Sequence, residues 1–269
     1  MKDLIIVRGG GDLATGTIYK LHRCGFPVLI LETATPSSIR RNVSFSEAVY
    51  QGQQTVEDLT CYLADSEEHA LSLLKEGKLA MLIDPQGDSI AHLHPLVVVD
   101  AILAKKNLGT HRDMAPITVG LGPGFTAGED VHAVVETKRG HNLGRVLWQG
   151  SAAPNTGIPG VIGGYGKERV IHSPAAGILR NAKKITDTVH CGDVIAWIQQ
   201  DSQTVPVTAT IDGLLRGLIR DGYPVTVGFK IADIDPRIEE YNNCFTISDK
   251  ARCIAGGVVE AILSMKGRL

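Results

Sequence analysis

The chain has 269 residues, 43% of them hydrophobic and 21% charged, with a formal net charge of −2 at pH 7. That length accommodates one large domain or two modest ones. No apolar run approaches the ~18 residues of a membrane-spanning helix, and the near-neutral balance argues against nucleic acid or an anionic membrane as partner. Glycine stands out at 30 residues, about 11% against ~7% in an average protein. Fourteen of these glycines fall between Gly109 and Gly177.

Residues 4–7 are a short apolar run with β-branched members, too short for a signal peptide, so a cytoplasmic location is expected. A Gly-rich turn follows, Gly9-Gly10-Gly11-Asp12-Leu13-Ala14-Thr15-Gly16, then helical spacing as far as Gly25, then a strand over 28–31 that runs into Glu32. Strand, turn, helix, strand and acid open a parallel α/β sheet, here expected to be Rossmann-like. Gly9, Gly11 and Ala14 fit G-x-G-x-x-A, and Glu32 lies 21 residues beyond Gly11. Two glycines tighten such a turn and bring its N–H groups close to a pyrophosphate, while the acid accepts from ribose hydroxyls. The candidate ligand contacts are therefore Gly9, Gly10, Gly11, Asp12, Ala14, Thr15, Gly16 and Glu32. An empty scaffold is the alternative, because Asp12 would repel a phosphate unless it points away. Arg40 and Arg41 read either as counter-charges for a phosphate or as a solvated pair.

Further along, a short helix is expected over 46–50, a strand or hairpin over 55–63, and a capped helix from 65 to about 76. A strand over 79–83 ends at Asp84-Pro85, a helix is expected over 96–106, and a strand over 117–119 runs into Gly120-Leu121-Gly122-Pro123-Gly124-Phe125. Loops that follow parallel strands share the carboxyl edge of the sheet, so Gly11, Glu32, Asp84, Gly122 and Gly124 are expected to converge there. Five of the nine histidines lie between His92 and His141. Asp130, His132, Glu136 and His141 offer mixed donors, but their spacing matches no zinc pattern, and no metal is expected. His132, beside the Gly-Pro-Gly loop, and Asp84 are the catalytic candidates, with ordinary packing or surface histidines as the alternative. The five cysteines show no C-x-x-C and read as free thiols; Cys191 or Cys244 could serve as a chalcogen-handling thiol.

Residues 170–198 overlay 206–234 at an offset of 36, matching Gly177 to Gly213, Leu179 to Leu215, Gly192 to Gly228 and Ile198 to Ile234. Each copy is β-rich and too small to hold a core alone, so the pair should pack face to face. This resembles the biotinyl/lipoyl type of barrel-sandwich domain. The linker at 199–205 has no lysine, which excludes a biotin or lipoate carrier. Ser248 should then cap a helix over 249–265 with Ala251, Ile254, Ala255, Val258, Val259 and Ile262 on one apolar face. Gly256-Gly257 within it points to close packing on the sheet domain. The domains expected are a Rossmann-like α/β domain at 1–126, a Gly-rich connection at 127–166, the barrel-sandwich at 167–236 and a C-terminal segment with its helix at 237–269.

Several longer motifs together resemble the YqeB family of selenium-dependent molybdenum hydroxylase accessory proteins. They are Arg8-Gly9-Gly10-Gly11-Asp12-Leu13-Ala14-Thr15-Gly16, Ser46-Glu47-Ala48-Val49-Tyr50, Gly120 to Phe125, Asp130 to Thr137, Asp235-Pro236-Arg237 and Ser248-Asp249-Lys250-Ala251-Arg252. The N-terminal third is also similar to the nucleotide-fold part of xanthine dehydrogenase accessory proteins. The resemblance implies a maturation role, with a molybdopterin-type cofactor or a dinucleotide at the Gly-rich turn. It also implies an apo molybdenum hydroxylase and other maturation proteins as partners, and a homo-oligomer is compatible with it. An NAD(P)-dependent oxidoreductase and a non-enzymatic partner-binding scaffold are the alternatives.

Overall fold

The computed structural model describes residues 1–157, 160–201 and 203–267. The chain divides into two compact units, one of Met1–Pro36, Ser44–Thr156 and Ile247–Leu269, the other of Ser37–Val43 and Gly157–Thr246.

The first unit runs β1 (Ile5–Arg8), α1 (Asp12–Arg23), β2 (Val28–Glu32), α2 (Ala48–Gln51), β3 (Gln53–Val56), β4 (Leu59–Leu63), α3 (Glu67–Lys75), β5 (Leu79–Ile83), α4 (Asp88–Leu93), β6 (Val97–Asp100), β7 (Ile117–Leu121), β8 (Thr126–Ala127), β9 (Ala133–Val135), β10 (Val146–Leu147) and β11 (Gly150–Ser151). Among the described residues, nine of these strands form one sheet in the order β10-β9-β7-β6-β1-β2-β5-β4-β3. It is parallel from β4 to β9, with β3 and β10 antiparallel at the two edges. Parallel strands covered on both faces read as unbroken apolar runs, and Ile5, Ile6, Val7, Leu29, Ile30, Val97, Val98 and Val99 are all fully buried. The chain steps from β1 to β2 and onward to β5, then returns to β6 on the other flank of β1. The crevice beyond the carboxyl ends of β1 and β6 is thus the sheet's topological switch point, where open α/β sheets place ligands.

The helix expected over 96–106 is instead β6 followed by a loop. Three consecutive valines lose χ1 freedom in a helix, and here they pair with Ile5–Val7 on one side and Ile117–Val119 on the other. The last helix, α5 (Asp249–Lys266), packs on α1 and against β7, β9 and β10, and so belongs to the first unit. Ser248 Oγ accepts from the Ala251 N–H at 3.2 Å and caps it. Two glycines permit the close approach: a Cβ on Gly16 would stand 2.7 Å from Ala251 Cβ, and one on Gly257 would stand 2.9 Å from Val135 Cγ1 and closer still to the Gly144 carbonyl.

The second unit carries β12 (Val170–His172), β13 (Gly177–Asn181), β14 (Thr188–Val189), β15 (Val194–Gln199), β16 (Thr204–Thr208), β17 (Gly213–Leu218), β18 (Pro224–Val225) and β19 (Lys230–Asp235). Among the described residues these form two antiparallel sheets, β12-β19-β17-β14 and β16-β15-β13-β18. They share one core that includes Leu179, Val189, Ile195, Ile198, Leu215, Val225, Ile231 and Ile234. The sequence offset is visible in three dimensions. Strands β13, β14 and β15 recur as β17, β18 and β19, and Gly177 and Gly213 share φ +154°. A Cβ on either would strike a carbonyl oxygen one strand away, Gln199 O or Asp235 O. Ser202, in the linker without lysine, and Ile158 and Pro159, in the expected connection, lie outside the described residues.

The expected pairing of a Rossmann-like domain with a biotinyl/lipoyl-like barrel-sandwich is corrected. The first unit is a large mixed sheet that reaches Leu147 and draws a helix from the other end of the chain. The second is two separate antiparallel sheets that share no strand. No helix among the described residues is long and apolar enough to cross a membrane.

Candidate functional site

The Gly-rich turn forms between β1 and α1, but the groups around Gly10 and Thr15 are committed internally. Glu32, at the end of β2, accepts from the Gly10 N–H at 2.8 Å and the Thr33 N–H at 2.8 Å. Burial pushes its carboxyl up from the ordinary range, against the pull of those two bonds. The Gly10 carbonyl accepts from the Ser46 N–H at 2.8 Å. Thr15 Oγ1 donates to the Gly11 carbonyl at 2.9 Å and accepts from the Phe45 N–H at 3.0 Å. Gly9, at φ +95°, lies against the Ala101 carbonyl, and Ala14 is buried. Gly16 serves the helix contact with α5 described above. The turn is therefore a structural junction, and the amide a pyrophosphate would need at Gly10 is taken by a carboxylate.

Other expected contacts also separate. Arg40 and Arg41 fold into the second unit, where Arg40 donates to the Asn243 carbonyl at 2.9 Å and Arg41 to the Leu218 carbonyl at 2.7 Å. Asp84 accepts from the Gly87, Asp88 and Ser89 N–H groups and from Ser89 Oγ, which fixes the start of α4. Burial would raise its carboxyl, but those bonds outweigh it and the net direction is down. His132 precedes β9, which runs parallel to β7, so it sits at the amino edge, away from the Gly-Pro-Gly loop. Its Nδ1 accepts from the Thr118 N–H at 3.1 Å. The ring borders an open groove of about 780 Å³ with His94 and Arg112. Burial and Arg112 push its imidazolium down. Cys191 is exposed, with its thiol on the Thr210 carbonyl, whereas Cys244 is buried and its thiol is pushed up by that burial. No group of three or more His, Cys, Asp or Glu side chains able to hold a metal occurs among the described residues.

The carboxyl edge nevertheless carries a site. A crevice of about 160 Å³ is lined by Leu13 of α1, Leu103 and Lys105 after β6, Leu121 and Pro123 at the end of β7, Thr137, Asn155 and Lys250 of α5. It therefore lies at the switch point. Two of its walls hold an uncommon backbone: Leu103 has φ +60° and Lys105 φ +62°. For bulky side chains that region costs of order 1–3 kcal/mol, and such strain clusters at ligand sites. The Gly-Pro-Gly loop is shaped for close approach. A Cβ on Gly122 (φ +77°) would meet Thr137 Oγ1, and one on Gly124 (φ +114°) the Lys106 backbone at 2.8 Å.

Lys250 is half-buried in the first turn of α5, and its Nζ makes no hydrogen bond or ion pair among the described residues. Burial first, and Arg139 second, push its ammonium down, while Asp12, Glu136 and Asp249 oppose them. Arg8 at the end of β1 donates to Thr110 Oγ1 at 2.6 Å, and Thr110 donates to Asp100 Oδ2 at 2.6 Å at the end of β6. All three are buried, and this chain of bonds braces the two strand ends that frame the switch point. Of the expected set only the loop that carries Gly122 and Gly124 reaches this site, through Leu121 and Pro123, whereas Lys105, Lys250 and the Arg8–Thr110–Asp100 brace went unread in the sequence.

No family model matches the chain. It is 51% identical over 263 residues, 97% of its length, to the "Uncharacterized protein YqeB" of Escherichia coli (strain K12). That likeness runs over nearly the whole of this chain. It spans 48% of that relative. Among solved structures it is similar to the ectoine utilization protein EutE (DoeB) of Ruegeria pomeroyi, at 8% identity and a TM-score of 0.28 over 86% of this chain and 85% of that one. An aspartoacylase family protein of Mesorhizobium loti (11% identity, TM-score 0.28) and a succinylglutamate desuccinylase/aspartoacylase of Rhodobacter sphaeroides (12%, 0.28) each match over 86% of this chain and 84% of theirs. The last two are named as aspartoacylase and desuccinylase proteins. The expected role in molybdenum hydroxylase maturation is corrected at the site itself, where Glu32 takes the Gly10 amide and Arg40 and Arg41 are engaged in the second unit. At these TM-scores the neighbours lend no activity to this chain.

Proposed function

We propose that the first unit binds a small organic acid in the crevice at the switch point, with Lys105 and Lys250 as its cations. The observation that carries this reading is the half-buried Lys250 amine, without a partner among the described residues, facing a crevice walled by Leu13, Leu103, Leu121 and Pro123 together with Lys105, Thr137 and Asn155. A buried cation without a hydrogen-bond acceptor is costly, and a bound carboxylate removes that cost. Charge selects the ligand class. Asp12, Glu136 and Asp249 already act on Lys250, so the single charge of a carboxylate is better tolerated than a phosphate dianion.

Isothermal titration of the full chain with pyruvate, lactate and their neutral amides tests this. The acids should bind and the amides should not. A hydrogen bond to a charged group contributes roughly 1.5–3 kcal/mol, so Lys105→Ala and Lys250→Met should each weaken binding about tenfold or more. Equal binding of acids and amides, or no effect of either substitution, would remove the reading.

A further inference from the structure

A lysine held partly out of water, free of a salt-bridge partner and beside another cation, is a nucleophile as well as a cation. Lys250 meets each condition. It lines the crevice, no hydrogen bond or ion pair among the described residues reaches its Nζ, and burial first, then Arg139, push its ammonium down from the ordinary lysine range. Lys105 differs, because it is exposed. The two lysines therefore suit different tasks in one small space.

We propose that Lys250 forms an imine with the keto carbon of a small 2-oxo acid, whose carboxylate is held by Lys105. This rests on the crevice being a site for organic acids. The Nζ lone pair forms the new N–C bond as the carbonyl π pair moves to oxygen, giving a carbinolamine. The former carbonyl oxygen then leaves as water, carrying both amine protons, and a neutral imine remains. Its protonation takes one proton from solvent, and no oxidant or reductant is consumed. Leu13, Leu103, Leu121 and Pro123 restrict water around the reacting carbon, which disfavours hydrolysis of the imine.

The full chain is incubated with pyruvate, treated with sodium borohydride and read by intact mass and peptide mapping. One reduced pyruvyl group per chain, on the peptide carrying Lys250, is the expected result. Lactate, which has no keto carbon, should bind without leaving an adduct. Lys250→Arg should abolish the adduct while its thermal unfolding curve without ligand shows that it is folded. Lys105→Ala should keep the adduct at saturating pyruvate but raise the half-saturating concentration about tenfold. An adduct spread over exposed lysines and unchanged by Lys250→Arg overturns the proposal. Pyruvate that binds by calorimetry yet leaves no adduct overturns the imine alone, and pyruvate that neither binds nor reacts removes both readings.

Discussion

Replacing Gly16 with alanine sets two effects of opposite sign against each other. Gly16 lies inside α1, and alanine in a helix interior is about 1 kcal/mol more favourable than glycine. On helix propensity alone, Gly16→Ala stabilises. The added Cβ, however, would stand 2.7 Å from Ala251 Cβ and 2.9 Å from the Ala251 carbonyl carbon and oxygen, where carbon atoms normally rest at about 3.5–4.0 Å. Two packed helices must separate by close to an ångström at that point, and because two of the three contacts are backbone the cost belongs at the upper end of overpacking, roughly 2–3 kcal/mol. The net expectation is a loss of about 1–2 kcal/mol, read as a lower urea midpoint at unchanged slope. Adding Ala251→Gly removes the nearest atom but leaves the two backbone contacts, so the double variant should recover only part of the loss. Gly16→Ala that is neutral or stabilising would refute the assignment of Gly16 to helix packing and return it to the ligand-contact set.

The other predictions concern the turn at Glu32 and the repeat. Burial raises the Glu32 carboxyl, so its contribution to stability is fully present below its ordinary pKa and is lost as pH rises through the raised one. Asp84, whose carboxyl is lowered, contributes stability above its ordinary pKa that is lost as pH falls through the lowered one. Denaturant midpoints measured across the acid range should therefore show Glu32→Gln losing a decline on the rising side and Asp84→Asn losing one on the falling side. Gly177→Ala and Gly213→Ala combine strained backbone with a Cβ at 2.4 Å from a carbonyl oxygen. Each should cost about 2–4 kcal/mol, and the two losses, measured by thermal unfolding, should agree because the positions are structurally repeated.

The sheet was legible because burial on both faces leaves a simple imprint, an unbroken apolar run such as Ile5-Ile6-Val7 or Val28-Leu29-Ile30-Leu31. Residues 96–106 misled because only Asp100 separates Val97 to Val99 from Ala101, Ile102, Leu103 and Ala104, and the longer window carries helical spacing across a strand end. The repeat was legible for a different reason. A glycine forced by a carbonyl one strand away recurs with its geometry, so Gly177 and Gly213 mark matching positions even where the side chains between them differ.

The site was legible in its place and not in its members. Parallel order alone directs the loops after β1, β6 and β7 to one edge, but what a loop does with its groups depends on neighbours far away in sequence. Glu32 stands where a ribose-binding acid would, yet its carboxylate closes the turn by taking the Gly10 amide. Arg40 and Arg41 follow β2 by only a few residues, yet the chain carries them into the other unit. Lys250 follows a helix cap and reads as one more solvated charge at a helix start. Its burial arises because Gly16 and Gly257 let α5 settle closely onto α1 and β9, which sets the first turn of α5 beside the Leu103–Lys105 loop. The glycines that make this junction and the lysine it partly desolvates are thus one arrangement, and a substitution that lifts α5 should also return the Lys250 ammonium toward its ordinary pKa.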